Sequence, residues 1–128
     1  MAIRLCAVKS NANFTAMHTT PHDILLEARE LEVYDKLLEQ LRKDISRAGL
    51  QQEFDLGYRP MVVSRNLIAQ IYALIITDFE RYLNLLYIID VSETTIKNLD
   101  VQQVDEMAQA ISMLILRREL TKVSFKSR

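Results

Sequence analysis

Apolar residues recur along this chain at alternating steps of four and three, the spacing of one side of an α-helix. The pattern is strongest from Asn66 to Asp90. Its seam consists of Ile68, Tyr72, Ile75, Phe79, Tyr82, Leu86 and Ile89. Further apolar residues flank the seam on both sides and leave only a narrow polar strip. Because so apolar a helix must be covered from several directions, the pattern predicts a helical bundle around one long central helix.

A second apolar repeat predicts a first long helix from Pro21 to Ala48. Thr20 and Asp23 have the spacing of a capping box, and Pro21 suits the first helical position. Gly49 supplies the stop signal at the other end. The repeat between them consists of Glu27, Leu31, Tyr34, Leu38, Leu41, Ile45 and Ala48.

The stretch from Gly49 to Pro60 predicts a loop between these two helices. Three of its residues alternate with polar ones in the manner of an extended segment, but the sequence offers no strand to pair with it. We therefore expect the three to fold back on the bundle; they are Phe54, Leu56 and Tyr58. Pro60 is expected to open the central helix, with an irregular start over Met61–Val63.

Two shorter signals predict the helices that complete the bundle. Ser92 is a natural N-cap for a short helix that ends near Leu99. A second capping-box spacing places the start of a longer helix near Val101, with its last core contact at Leu120. We expect the basic tail, residues 121–128, to fray.

Composition supports the all-helical interpretation. The 128 residues include only two glycines and two prolines, too few for the many turns of an all-β domain. The length suits one domain. We predict an all-α, up-and-down bundle of three to four helices, with residues 20–128 as a single domain that ends in the basic tail. Residues 1–19 are predicted to form a poorly ordered N-terminal tail.

Charge and cysteine content narrow the classes of partner. A net charge of −1 gives no general attraction to nucleic acid or anionic lipid, and no nucleic-acid-binding motif accompanies the basic tail. The single cysteine, Cys6, excludes an intrachain disulfide and suits the reducing cytoplasm. The longest apolar run, Ile71–Ile76, is soon followed by Asp78, so we expect no membrane span.

Candidate chemistry is sparse. No glycine-rich phosphate loop or nucleophile motif occurs, and no complete set of metal ligands is present, so we predict no cofactor and no metal. Asp78 lies beside the apolar seam. It could act as a base or ligand in a cavity. The favoured alternative is a residue at the boundary of the core, bound to a tyrosine or to an arginine such as Arg81. Glu27 and Glu30 have the spacing of a carboxylate metal site, but the element occurs only once. The candidate ligand-binding residues are Asp78, Glu27, Tyr34, Tyr72 and Tyr82.

Apolar surface that two long helices and a shorter pair cannot cover predicts a homodimer. Its candidate interface residues are Ile68, Ile75, Phe79, Leu86, Ile111 and Leu114. The leading hypothesis is a cytoplasmic, non-catalytic interaction module, an adaptor or regulatory subunit, with an unidentified protein as a further partner. The alternative is a small helical enzyme or binding protein that holds a ligand or a divalent metal between its helices.

Overall fold

A computed structural model of the chain describes residues 20–126. Every regular element in this range is an α-helix, which confirms the predicted all-α class. The predicted tail, residues 1–19, lies outside the described residues. The helices are α1 (Pro21–Glu30), α2 (Tyr34–Arg47), α3 (Pro60–Thr77), α4 (Phe79–Ile89), α5 (Glu93–Lys97) and α6 (Val104–Lys126).

The predicted first helix is two helices, so its continuity was wrongly predicted. It begins as expected, since the Asp23 backbone N–H donates to Thr20 Oγ1 at 3.1 Å and the Thr20 N–H donates to Asp23 Oδ2 at 3.0 Å. It then stops after Glu30, and Glu32 adopts a left-handed conformation with φ of 61°. The usual glycine stop signal is absent here, so the sequence pattern ran through the break.

Three helices end in the same backbone motif. The N–H groups of Val33, Leu50 and Val91 donate to carbonyls five residues back, at 2.9 to 3.0 Å. Each of the three follows a residue in the left-handed conformation, namely Glu32, Gly49 and Asp90, of which only Gly49 is a glycine. These are Schellman ends, in which an apolar residue just beyond the helix packs inward. Val33 and Leu50 are buried accordingly.

The predicted central helix is also interrupted. Asp78 lies between α3 and α4 with non-helical φ and ψ of −155° and 80°, and its Oδ1 accepts the Arg81 backbone N–H at 3.2 Å. Asp78 is thus the N-cap of α4. By contrast, Pro60 opens α3 as predicted, Met61–Val63 are regular helix, and Ser92 caps α5.

The long last helix, α6, occupies the middle of the molecule and packs against α1, α2, α3 and α4. Ile111, Ile115 and Leu116 of α6 are fully buried in the core. The tail predicted to fray from residue 121 remains helical to Lys126, because Val123 is buried and Lys122 pairs with an acid of α2. The loop before α3 behaves mostly as expected: of the three residues predicted to fold back on the bundle, Phe54 and Leu56 are buried, whereas Tyr58 is exposed.

Candidate functional site

A row of large apolar side chains is exposed across α3 and α4. The inward sides of these helices bury residues such as Ile71 and Leu85, whereas their outward sides are exposed within residues 20–126. The row consists of Tyr72, Ile76, Phe79, Leu83 and Tyr87, which are 41% to 83% exposed. We call these five residues the apolar stripe. Tyr72 and Ile76 lie four positions apart on α3, and Phe79, Leu83 and Tyr87 lie four positions apart on α4. Each set therefore shares one face of its own helix, and none of the five residues is charged.

A groove of about 370 Å³ runs beside the stripe. Phe79, Tyr82 and Leu83 of α4 form one wall, and the chain around α5 and the start of α6 forms the other with apolar residues such as Ile96 and Met107. Tyr82 is only 4% exposed, and burial raises the pKa of its hydroxyl. A volume of this size is within the range of small-molecule sites. The groove is therefore a candidate ligand pocket as well as an extension of the stripe.

Within the described residues, α3 is the one helix whose length and composition would allow it to cross a membrane. Only 28% of this stretch is buried inside the molecule. The apolar segment that starts at Asn66 includes Asp78, whereas α3 begins at Pro60 and ends before that acid. The core thus covers a strongly apolar helix on one side only.

Asp78 has a structural partner that accounts for its position. The residue is half-buried, and its carboxylate accepts one of the free backbone N–H groups in the first turn of α4, that of Arg81. The Arg81 guanidinium turns elsewhere, to Glu53 Oε2 at 3.1 Å and the Gly49 carbonyl at 3.0 Å. The link to Arg81 that the favoured alternative expected is therefore made by the backbone and not by an ion pair.

The other candidate ligand residues do not converge on one site. Tyr34 is buried, donates to the Tyr58 carbonyl and lines a polar cavity beside the α1–α2 turn. Tyr82 lines the apolar groove, Tyr72 belongs to the stripe, and Glu27 is exposed on α1. Neither of these two cavities is lined by Asp78 or Glu27.

The candidate interface residues are also divided by the fold. Phe79 is 53% exposed and belongs to the stripe. Leu86 and Ile111 are buried in the chain's own core, so they are not available to a partner. The other three are half-buried, namely Ile68, Ile75 and Leu114. An apolar repeat in the sequence identifies the apolar side of a helix. It does not show which residues of that side are buried by the rest of the same chain and which stay exposed.

Sequence reasoning missed a buried polar cluster between α2 and α6. The Asp44 and Glu119 side chains are 1% and 0% exposed. Lys122 Nζ donates to Asp44 Oδ2 at 2.7 Å and lies 3.1 Å from Glu119 Oε1. A signal was present, because each acid follows a buried apolar residue by three positions, Leu41 and Leu116 respectively, and so shares its helical face.

Neither metal geometry nor similarity identifies a function. Among residues 20–126, no three histidine, cysteine, aspartate or glutamate side chains lie close enough together to hold a metal ion. Comparison with protein-family models, curated proteins and solved structures finds no match to this chain.

Proposed function

We propose that this chain is a non-catalytic helical interaction module that acts as a homodimer through the apolar stripe. The observation that carries the proposal is the exposure of five large apolar side chains along α3 and α4. Contiguous apolar surface on a folded protein commonly marks an interaction site. Aromatic residues are enriched, and charged residues depleted, at the centres of such sites.

The spacing of the stripe favours a second copy of the chain as the occupant. On α4, Phe79 and Tyr87 lie four residues before and after Leu83. If two α4 helices pack antiparallel about a two-fold axis at Leu83, Leu83 meets itself and each Phe79 meets Tyr87 of the second copy. An isologous interface requires this kind of self-complementary surface.

Charge is compatible with the same arrangement. Two identical surfaces bring like charges together, which would oppose association if the face carried any. The five residues of the stripe are uncharged and Arg81 pairs with Glu53, while the exposed Glu80, one turn before Leu83 on α4, borders the stripe. The proposed role as an adaptor or regulatory subunit in the cytoplasm, with a further protein partner, rests on this dimer as its platform.

The test is the mass of the purified chain in solution at micromolar concentration, measured by sedimentation and by native mass spectrometry. We expect a dimer for the natural sequence. Leu83→Arg places two cations at the proposed axis and removes two apolar contacts, so dissociation should become at least about a hundredfold easier. Leu31→Arg is the matched control, because Leu31 is 53% exposed on the α1–α2 turn and Leu83 is 49% exposed. The control should remain a dimer.

Several outcomes would overturn the proposal. A monomer at tens of micromolar, or a Leu83→Arg variant that dimerises as well as the control, would remove the stripe as a self-association site. A monomer that floats with phosphatidylcholine vesicles would assign the stripe and α3 to a lipid surface instead.

The groove favours a second candidate function, a binding protein for a small apolar ligand. Its walls are apolar, and the Tyr82 hydroxyl has no hydrogen-bond partner within the described part of the chain. The same native mass spectrum tests this alternative, because a stoichiometric extra mass on each chain would favour a ligand over a bare dimer. No catalytic arrangement accompanies the groove among the described residues.

A further inference from the structure

A buried acid pair, Asp44 and Glu119, joins the C-terminal part of α6 to α2. Three hydrogen-bond donors or cations serve Asp44. Lys122 Nζ lies at 2.7 Å, Gln40 Nε2 donates at 3.2 Å, and the exposed Arg47 lies at 3.7 Å. Asp44 is therefore well stabilised as a carboxylate.

Glu119 is in the opposite situation. Both of its carboxyl oxygens are buried and accept no hydrogen bond, although Lys122 Nζ lies 3.1 Å from one of them. An ionised carboxylate that accepts nothing is costly in a protein core. As a neutral acid, Glu119 can instead donate its proton to the Asp44 carboxylate. The geometry thus suits one ionised and one protonated carboxyl group beside a single ammonium group.

We propose that Asp44 and Glu119 share one proton in the core, and that its release at mildly alkaline pH loosens the end of α6 from α2. The pair would then act as a pH-sensitive latch. The segment it controls begins at Glu119 and includes two buried apolar residues, Leu120 and Val123.

The direction of the pKa shifts agrees with this geometry. Burial, and after it the hydrogen bond to Asp44 and the Asp44 charge, raise the pKa of Glu119, whereas Lys122 lowers it; together they place this pKa at about 8. Burial alone would raise the pKa of Asp44, but hydrogen bonds from Glu119 and Lys122 outweigh it and lower that pKa. The proton therefore stays on Glu119 below about pH 8.

No other charged group contacts the pair among the described residues. Arg118 and Asp90 lie near this part of α6 and pair with each other at 3.0 Å. The other helices packed on α6 make no ion pair or hydrogen bond to Asp44, Glu119 or Lys122. Their charged or titratable residues are His22, Asp23, Glu27, Arg29 and Glu30 on α1, Arg65 and Tyr72 on α3, and Glu80, Arg81, Tyr82 and Tyr87 on α4. The pH response is thus assigned to the α2–α6 contact alone.

The sign of the response follows from proton linkage. The pKa of Glu119 in the fold, about 8, is above the ordinary value of 4.5, so the folded state holds the proton more tightly. The stabilising contribution is complete below about pH 4.5, declines as the pH rises, and is lost above about pH 8. Between pH 6.5 and 9 these two pKa values allow opening of the segment to increase by up to about thirtyfold.

The test is hydrogen–deuterium exchange of residues 119–125 at pH 6.5 and 9, corrected for intrinsic exchange and referred to amides of the α3 core. We expect at least tenfold loss of protection in the natural chain at the higher pH. Glu119→Gln needs no shared proton and can still donate to Asp44, so its protection should not depend on pH. Glu106→Gln, an exposed acid on the same helix, is the control and should behave as the natural chain does.

A second variant and a direct titration test the shared proton independently. Asp44→Asn can donate to Glu119, which removes the need for the shared proton and should also flatten the pH response. Carboxyl carbon NMR of the natural chain should place the Glu119 midpoint near 8. A midpoint near 4.5, or protection that falls equally in Glu119→Gln and the natural chain, would overturn the proposal.

Discussion

Substitution of Asp78, the N-cap of α4, tests whether this acid has a structural role or binds a ligand. The Asp78 side chain contributes one acceptor to the Arg81 N–H at 3.2 Å, at the start of α4. Removing such an N-cap typically lowers the free energy of unfolding by about 1 kcal/mol, within a range of about 0.5 to 2. For a domain of this size, Asp78→Ala should lower the melting temperature by about 5 °C. Asn is nearly as good an N-cap as Asp, so Asp78→Asn should lose less than half as much.

The assay is urea unfolding followed by far-ultraviolet circular dichroism, at one fixed protein concentration because self-association would contribute to stability. Asn84→Ala is the control, since Asn84 is exposed in the middle of α4 and makes no hydrogen bond within the described residues through its side chain. It should change the free energy of unfolding by no more than about 0.5 kcal/mol. If Asp78→Ala were as stable as the control, the capping argument would fail. If Asp78→Asn were as damaging as Asp78→Ala, the negative charge would be essential and a charged-ligand role would return.

Two further predictions concern backbone conformation. Gly49 and Gly57 have φ of 76° and 81°, but a Cβ at Gly49 meets nothing within 4 Å, whereas one at Gly57 meets Val62 Cγ1 at 2.8 Å. Gly49→Ala should therefore cost about 1 kcal/mol and Gly57→Ala about 1 kcal/mol more, measured by urea unfolding; equal costs would contradict the steric argument. Glu32→Gly removes the strain of a left-handed residue with φ of 61° and should stabilise the chain by about 0.5 kcal/mol, net of added freedom in the unfolded chain. A loss of stability in the same assay would show that the Glu32 side chain contributes more than its backbone strain costs.

Local signals in the sequence predicted the parts of this fold that depend on neighbouring residues. The capping box at Thr20 and Asp23, the cap at Ser92 and the opening of α3 at Pro60 each involve atoms within one helical turn. The all-helical class follows equally from periodicity and scarce glycine. The sequence pattern did not predict the breaks at Glu32 and Asp78, because each of these residues also fits a helical repeat. The path of the chain there depends on buried neighbours such as Val33, which packs into the core just beyond the end of α1.

The apolar content of α3 and α4 was evident from the sequence, but the exposed side was not. Ile71 and Leu74 face inward while Tyr72 and Ile76 face outward, although all four are apolar. The hydrophobic effect favours burial without specifying a direction, so either side of such a helix could satisfy it. The position of α6 in the middle of the molecule is what buries one side and leaves the stripe exposed.

The all-helical class, several helix ends and an excess of apolar surface follow from the order of residues along the chain. The position of that surface, and the pairing of Asp44 with Lys122, 78 positions apart, arise from the packing of the helices. The two kinds of feature differ in the range of the interactions that set them. Helix periodicity and capping act within a turn, whereas the pairing of buried charges depends on which helices the core brings together.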